Sequence, residues 1–90
     1  MYYVYMIKDS RENLYVGITE NLGNRLYYHN TKQGAKFTKS KTEFRLVFSE
    51  EYKTLADARK REIQLKKWRR DKKELLITRY NTGLPTKSAA

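Results

Sequence analysis

The sequence predicts an α+β fold, with helices packed on a three-stranded antiparallel sheet in the order β-β-α-β-α-α. Three observations predict it. Two aromatic and β-branched runs near the N-terminus are separated by a short polar stretch, an alternating apolar run follows mid-chain, and two helix-start signatures open the second half.

Tyr2 to Ile7 is the first strand candidate, dense in Tyr, Val and Ile. Asp9-Ser10-Arg11-Glu12-Asn13 is turn-rich, and Leu14 to Ile18 resumes strand character, so the two runs read as a hairpin. A tight turn at Ser10 would set Tyr5 opposite Tyr15. Asn21 can cap a helix reaching about Asn30, with Leu22 and Leu26 on one face. Residues 31–43 are polar and Lys-rich around Gly34 and read as a loop. Phe44, Leu46 and Phe48 alternate with Arg45, Val47 and Ser49, the pattern of a half-buried strand. Thr54 with Asp57 three residues on resembles a capping box for a helix running to about Arg69. Asp71 and Glu74 suggest a second start, for a helix to about Tyr80. Gly83 and Pro85 end regular structure, giving one domain over residues 1–81 and a flexible tail over 82–90.

Ninety residues allow a single modest core, and 20 Lys and Arg against 10 Asp and Glu give a formal charge of +10. That balance points to a polyanionic partner. No stretch approaches the ~18 apolar residues of a spanning helix, and no secretory signal precedes the first strand. A membrane partner is therefore not expected, and a cytoplasmic location is. Without cysteine there are no disulfides, thiolate metal sites or Cys nucleophile.

Four features break the structural pattern. Glu62 falls inside an apolar helical stripe of Leu55, Ala58, Leu65 and Trp68. A carboxylate there is costly unless it forms a salt bridge or binds a metal. Arg25 and His29 stand one turn apart on the Leu22–Leu26 face, either as exposed helix surface or as a cationic pair at the core's rim. Tyr5 and Tyr15 share a sheet face beside Gly17, which either reflects ordinary strand propensity or leaves room for a ligand's close approach. Lys32, Lys36, Lys39 and Lys41, with Phe37 among them, form a solvated loop or a track for a phosphate backbone.

The ordered set Tyr5, Tyr15-Val16-Gly17, Asn21-Leu22-x-x-Arg25, His29 and Glu62 resembles the GIY-YIG nuclease superfamily. Within it, the chain resembles the small stand-alone bacterial members related to the N-terminal nuclease domain of the excision-repair subunit UvrC. The phrases Leu14 to Thr19, Gly34 to Thr38 and Ala58 to Glu62 carry the likeness, which covers roughly residues 2–80. It implies the GIY-YIG fold and a catalytic set of Tyr5, Tyr15, Arg25, His29 and Glu62. Glu62 would be the ligand of one Mg²⁺ or Mn²⁺, while Asn81 is the candidate for a C-terminal asparagine of the family. The first motif departs from the family, reading Tyr3-Val4-Tyr5, and Ile18 stands where some relatives have lysine.

The resemblance implies metal-assisted hydrolysis of phosphodiester bonds, in DNA rather than RNA, with little sequence preference and a possible tie to repair. Arg25 would hold the phosphate; Tyr15, Tyr5 or His29 would take the proton, with Tyr15 the better placed. Gly17 and the Lys32–Lys41 loop with Phe37 would contact nucleic acid. No recognition module accompanies the motif, so a protein partner could supply target choice. The alternatives are a non-catalytic DNA- or RNA-binding protein of the same fold, and a basic helper of RNA function.

Both nucleic-acid readings require electrostatic binding. With about four phosphates contacted, log K for duplex DNA should fall against log salt with a slope near −3.6. A fluorescence-anisotropy series checks this, and a flat profile would exclude it.

Overall fold

A computed structural model describes residues 1–27 and 43–87. The strands are β1 (Tyr2–Lys8), β2 (Leu14–Thr19) and β3 (Arg45–Tyr52). Helix α1 begins at 22 and is described through 27, followed after β3 by α2 (Leu55–Lys67) and α3 (Arg70–Asn81). The sheet is three-stranded and antiparallel, as the sequence predicts; its strand order is β2-β1-β3, with β1 at the centre.

The hairpin register differs from the expected one by two residues. Tyr5 pairs with Gly17, and Ile7 pairs with Tyr15. The connection is longer than a tight turn because the Asp9 side chain organises it. Its Oδ1 accepts from the backbone N–H groups of Arg11 and Asn13, both at 2.9 Å, and Glu12 adopts a φ of 67°. A slip of two preserves faces, so Tyr5 and Tyr15 still share one side of the sheet.

A bulge reorganises β3. Met6 pairs with Phe48 and Ile7 with Leu46, which leaves Val47 as the extra residue. The simple alternation of Phe44, Leu46 and Phe48 is therefore broken. Phe44 and Leu46 join Tyr5 and Ile7 on one face, where Leu22 and Leu26 of α1 cover them. Phe48 turns to the other face and packs with Val4, Met6, Ala58, Leu65, Leu76 and Ile77 beneath α2 and α3. Three layers result: α1, the sheet, and the α2–α3 pair.

The helix caps follow the sequence for α1 and α2. Asn21 Oδ1 accepts from Asn24 N at 2.9 Å, and Thr54 Oγ1 from Asp57 N at 3.1 Å. For α3 the cap position is Arg69, which makes no side-chain cap, and Asp71 instead lies in the first turn. Gly83, at a φ of 78°, closes α3 with bonds from Gly83 N to Tyr80 O and from Leu84 N to Arg79 O. The following segment is docked where the sequence suggests a loose tail. Arg79 donates to the Pro85 carbonyl, Arg61 to that of Thr86 and Lys87 to that of Glu51.

The inward stripe of α2 is Ala58, Arg61 and Leu65, not the stripe centred on Glu62. Leu55 is exposed and Glu62 lies at the stripe's edge. The buried cation is matched: Arg61 donates to both oxygens of Glu50, at 2.9 and 3.2 Å, with side chains only 6% and 2% exposed. Tyr52 donates to the same carboxylate at 2.8 Å. Burial and Glu50 push its phenol well above the ordinary value, against the smaller opposing effect of Arg61.

Glu50→Gln would leave the Arg61 cation buried without its counter-charge. The unfolding free energy should fall by about 3–5 kcal/mol in urea titrations. Glu51→Gln, one residue away on the exposed side, should stay within about 0.5 kcal/mol of wild type.

Candidate functional site

Tyr5 anchors the site from the central strand. Its ring lies across Gly17 of β2: a Cβ built on Gly17 would fall 2.6 Å from the Tyr5 hydroxyl oxygen and 2.7 Å from Cζ. The space opened by the missing side chain, expected to admit a ligand, is filled by Tyr5 itself. The hydroxyl is thereby carried from β1 toward the β2 edge of the sheet.

At that edge two opposite charges act on the phenol. Burial raises its pKa most, Arg25 of α1 lowers it, and Glu62 of α2 raises it again, so it stays above the ordinary phenol value. Because α1 and α2 cover opposite faces, the edge strand is where their side chains can act on one group. The Tyr5 phenol thus feels the charges of both Arg25 and Glu62. Arg25 is exposed beside a cleft lined by Thr19, Glu20, Asn21 and Asn24. Glu62 is mostly buried, 14% exposed, and its Oε2 receives Lys66 Nζ at 3.2 Å one helical turn on.

Tyr15 stands two residues from Gly17 on β2, on the same side of the sheet as Tyr5. Its hydroxyl donates to Asp9 Oδ2 at 3.2 Å, its ring meets Phe44 edge-on at 5.6 Å, and 46% of the residue is exposed. Burial, the hydrogen bond to Asp9 and the charge of Asp9 all raise its pKa. Asp9 is held in turn: burial would raise its carboxyl, but hydrogen bonds from Asn13, Arg11 and Tyr15 outweigh that and lower it. Tyr15 therefore holds its proton firmly and aims it toward the hairpin turn. Sequence reasoning missed Asp9 as its partner, although an Asp opening a five-residue turn is a known backbone organiser.

Asn81 is the exposed last residue of α3, a helix that packs chiefly on β3, the edge opposite β2. The structure does not bring it to the β2 edge. His29 and the loop residues Lys32, Lys36, Phe37, Lys39 and Lys41 lie outside the described residues.

A metal ion at this place would have one protein carboxylate. Among the described residues no group of three or more His, Asp or Glu side chains could hold an ion. A single, largely buried carboxylate suits a hard ion that keeps its waters and takes phosphate oxygens, as Mg²⁺ and Mn²⁺ do. Glu62 fits that description, and its lysine partner can be displaced. No helix among the described residues is long and apolar enough to cross a membrane.

The family model of the GIY-YIG catalytic domain matches residues 1–75. UPF0213 proteins of Staphylococcus aureus strains Mu3 and N315 are each 41% identical over 76 residues, covering 84% of this chain and 93% of theirs. The solution NMR structure of a UPF0213 protein from Bacillus halodurans aligns with a TM-score of 0.57 at 32% identity, covering 87% of this chain and 84% of that one.

Gly17→Ala should force the Tyr5 ring to move and cost about 1–3 kcal/mol of stability, the scale of overpacking. In a Tyr5→Leu background most of that cost should vanish, because the obstructing ring is gone. Equal costs in both backgrounds, read from thermal melts as a double-mutant cycle, would contradict the contact.

Proposed function

The chain belongs to the GIY-YIG catalytic domain family, and from that membership we propose that it is a metal-dependent endonuclease acting on DNA. One observation carries the reading. The phenol on β1 feels the charges of both the guanidinium on α1 and the carboxylate on α2 that the family's pattern marks.

Arg25 takes the scissile phosphate, where its planar fork matches two phosphate oxygens. Tyr5, buried and within the electrostatic reach of Arg25, holds its hydroxyl over Gly17 and orients the attacking water. Burial keeps that phenol protonated in the free protein. Adding positive charge beside it lowers its pKa and makes it a better proton acceptor. Tyr15, tied to Asp9, is the weaker candidate for that role, in contrast to the order the sequence suggests. Glu62 is the residue that would hold Mg²⁺ or Mn²⁺, which supplies charge neutralisation at the leaving oxygen. Target choice is left to the shape or damage of the DNA or to a protein partner. A repair substrate fits the likeness to the excision-repair nuclease.

A nicking assay on supercoiled DNA and on RNA, with Mn²⁺ or EDTA, tests this. Wild type should nick DNA only with metal, and Glu62→Gln should abolish nicking while leaving metal-free DNA binding intact. Arg25→Lys should slow single turnovers by on the order of 10–100-fold, about 1–3 kcal/mol, since Lys keeps the charge but loses the fork. Wild-type binding without cleavage under every condition would make the protein a binder that has kept the nuclease fold.

A further inference from the structure

Arg59, Glu62 and Lys66 are spaced three and four apart, so they stand on one face of α2. Arg59 and Lys66 lie on either side of Glu62, roughly 10.5 Å apart along the helix axis at 1.5 Å per residue. Both are exposed, and Arg59 has no carboxylate partner in an ion pair among the described residues. Lys66 is differently placed. Its ammonium sits on Glu62 at 3.2 Å, yet the lysine is 55% exposed while the carboxylate is 14% exposed. The pair therefore joins a solvent-facing cation to a largely buried anion.

Such a lysine has two electrostatic options when a polyanion arrives. It can stay on Glu62, or it can turn outward to a phosphate and leave the carboxylate to another cation. An i,i+4 pair whose cation lies in solvent is weak enough for that exchange. Phosphates flanking the central one along a duplex strand lie about 6.8 Å apart along its axis, within reach of two long side chains rooted at this spacing.

We propose that Arg59 and Lys66 bind the two phosphates flanking the one at Glu62, and that Lys66 is an exchangeable counter-ion, neutralising Glu62 until nucleic acid draws it away. The inference rests on the nuclease reading only for the identity of the incoming cation. The phosphate contacts stand without it. Recognition is of the phosphodiester backbone, which DNA and RNA share.

Two measurements on the full chain test it. Binding to duplex DNA and to duplex RNA is followed over a salt series in EDTA for wild type, Arg59→Met, Lys66→Met and Lys60→Met. Each variant loses one charge, but position 60 lies on the far side of α2 from Glu62. The log–log slope should shrink by about 0.9 in Arg59→Met and in Lys66→Met and hold its wild-type value in Lys60→Met. Equal shrinkage in all three variants, or none in the first two, overturns the contacts. Loss on one nucleic acid alone identifies which duplex the surface fits. Separately, Mn²⁺ is titrated calorimetrically without nucleic acid. Lys66→Met should bind it about twofold more tightly, the scale of an exposed helical pair. Unchanged or weaker binding overturns the exchange. If wild type takes up no Mn²⁺, the metal reading of Glu62 and the exchange both fail, while the metal-free slopes still decide the phosphate contacts.

Discussion

Arg61 donates to both oxygens of Glu50 where neither side chain is more than a few per cent exposed, and that bond sets the rotation of α2. A cation so buried has no tolerable alternative direction, since turning away from Glu50 would strand two charges in the core. The remaining donors of Arg61 reach Gln64 at 2.8 Å and the Thr86 carbonyl at 3.2 Å, and its guanidinium stacks near Trp68. β3, α2 and the C-terminal segment are thus joined at one side chain. Glu62, the next residue, is turned about 100° from Arg61 around the helix. Its place at the edge of the buried stripe is a consequence of where Arg61 must point.

A second constraint acts from the sheet. Tyr5 can reach the β2 edge only because residue 17 has no side chain, since even a Cβ would overlap its hydroxyl. The bulge at Val47 helps from the other edge. It sends Leu46 and Phe44 to the Tyr5 face, where they build a small second core with Ile7, Leu22 and Leu26. Without that shift, Phe44 and Leu46 would share the α2–α3 face with Phe48, and α1 would have less to pack on. The position of Arg25 on α1 therefore depends on a single extra residue in β3.

The fold was legible because its signals are local. Asn21 and Thr54 cap where a side-chain oxygen can reach a backbone N–H three residues on, and the strand compositions name themselves. What escaped was set by long-range geometry. The hairpin register turned on the Asp9 side chain, whose bonds to Arg11 and Asn13 lengthen the turn by an amount composition does not encode. The charge inside α2 was sensed one residue away from its true place. Leu55 and Trp68 suggested a stripe through Glu62, but Leu55 is exposed, and the partner that buries Arg61 lies in β3, eleven residues earlier. Of the site, Tyr5, Arg25 and Glu62 were readable together only through the family pattern. The tie of Tyr15 to Asp9 is a hydrogen bond that no spacing announces.

The carboxylates of this basic chain are unequal in a way that bears on function. Glu50 is fixed by a buried guanidinium, Asp9 by the turn it organises, and Glu12 and Glu74 by arginines with Lys8 between them. Each has a structural task that a metal or phosphate would disturb. Glu62 combines burial, an electrostatic effect on a buried phenol and an ion pair with nothing stronger than an exposed lysine. A carboxylate held that loosely in a chain of charge +10 is easily satisfied in the free state and easily released. The excess cations repel one another until a polyanion enters, so binding relieves a strain that folding leaves in place. On the proposed reading, the same event would remove the lysine from Glu62 and bring the phosphate to Arg25, coupling filling of the site to exposure of its carboxylate.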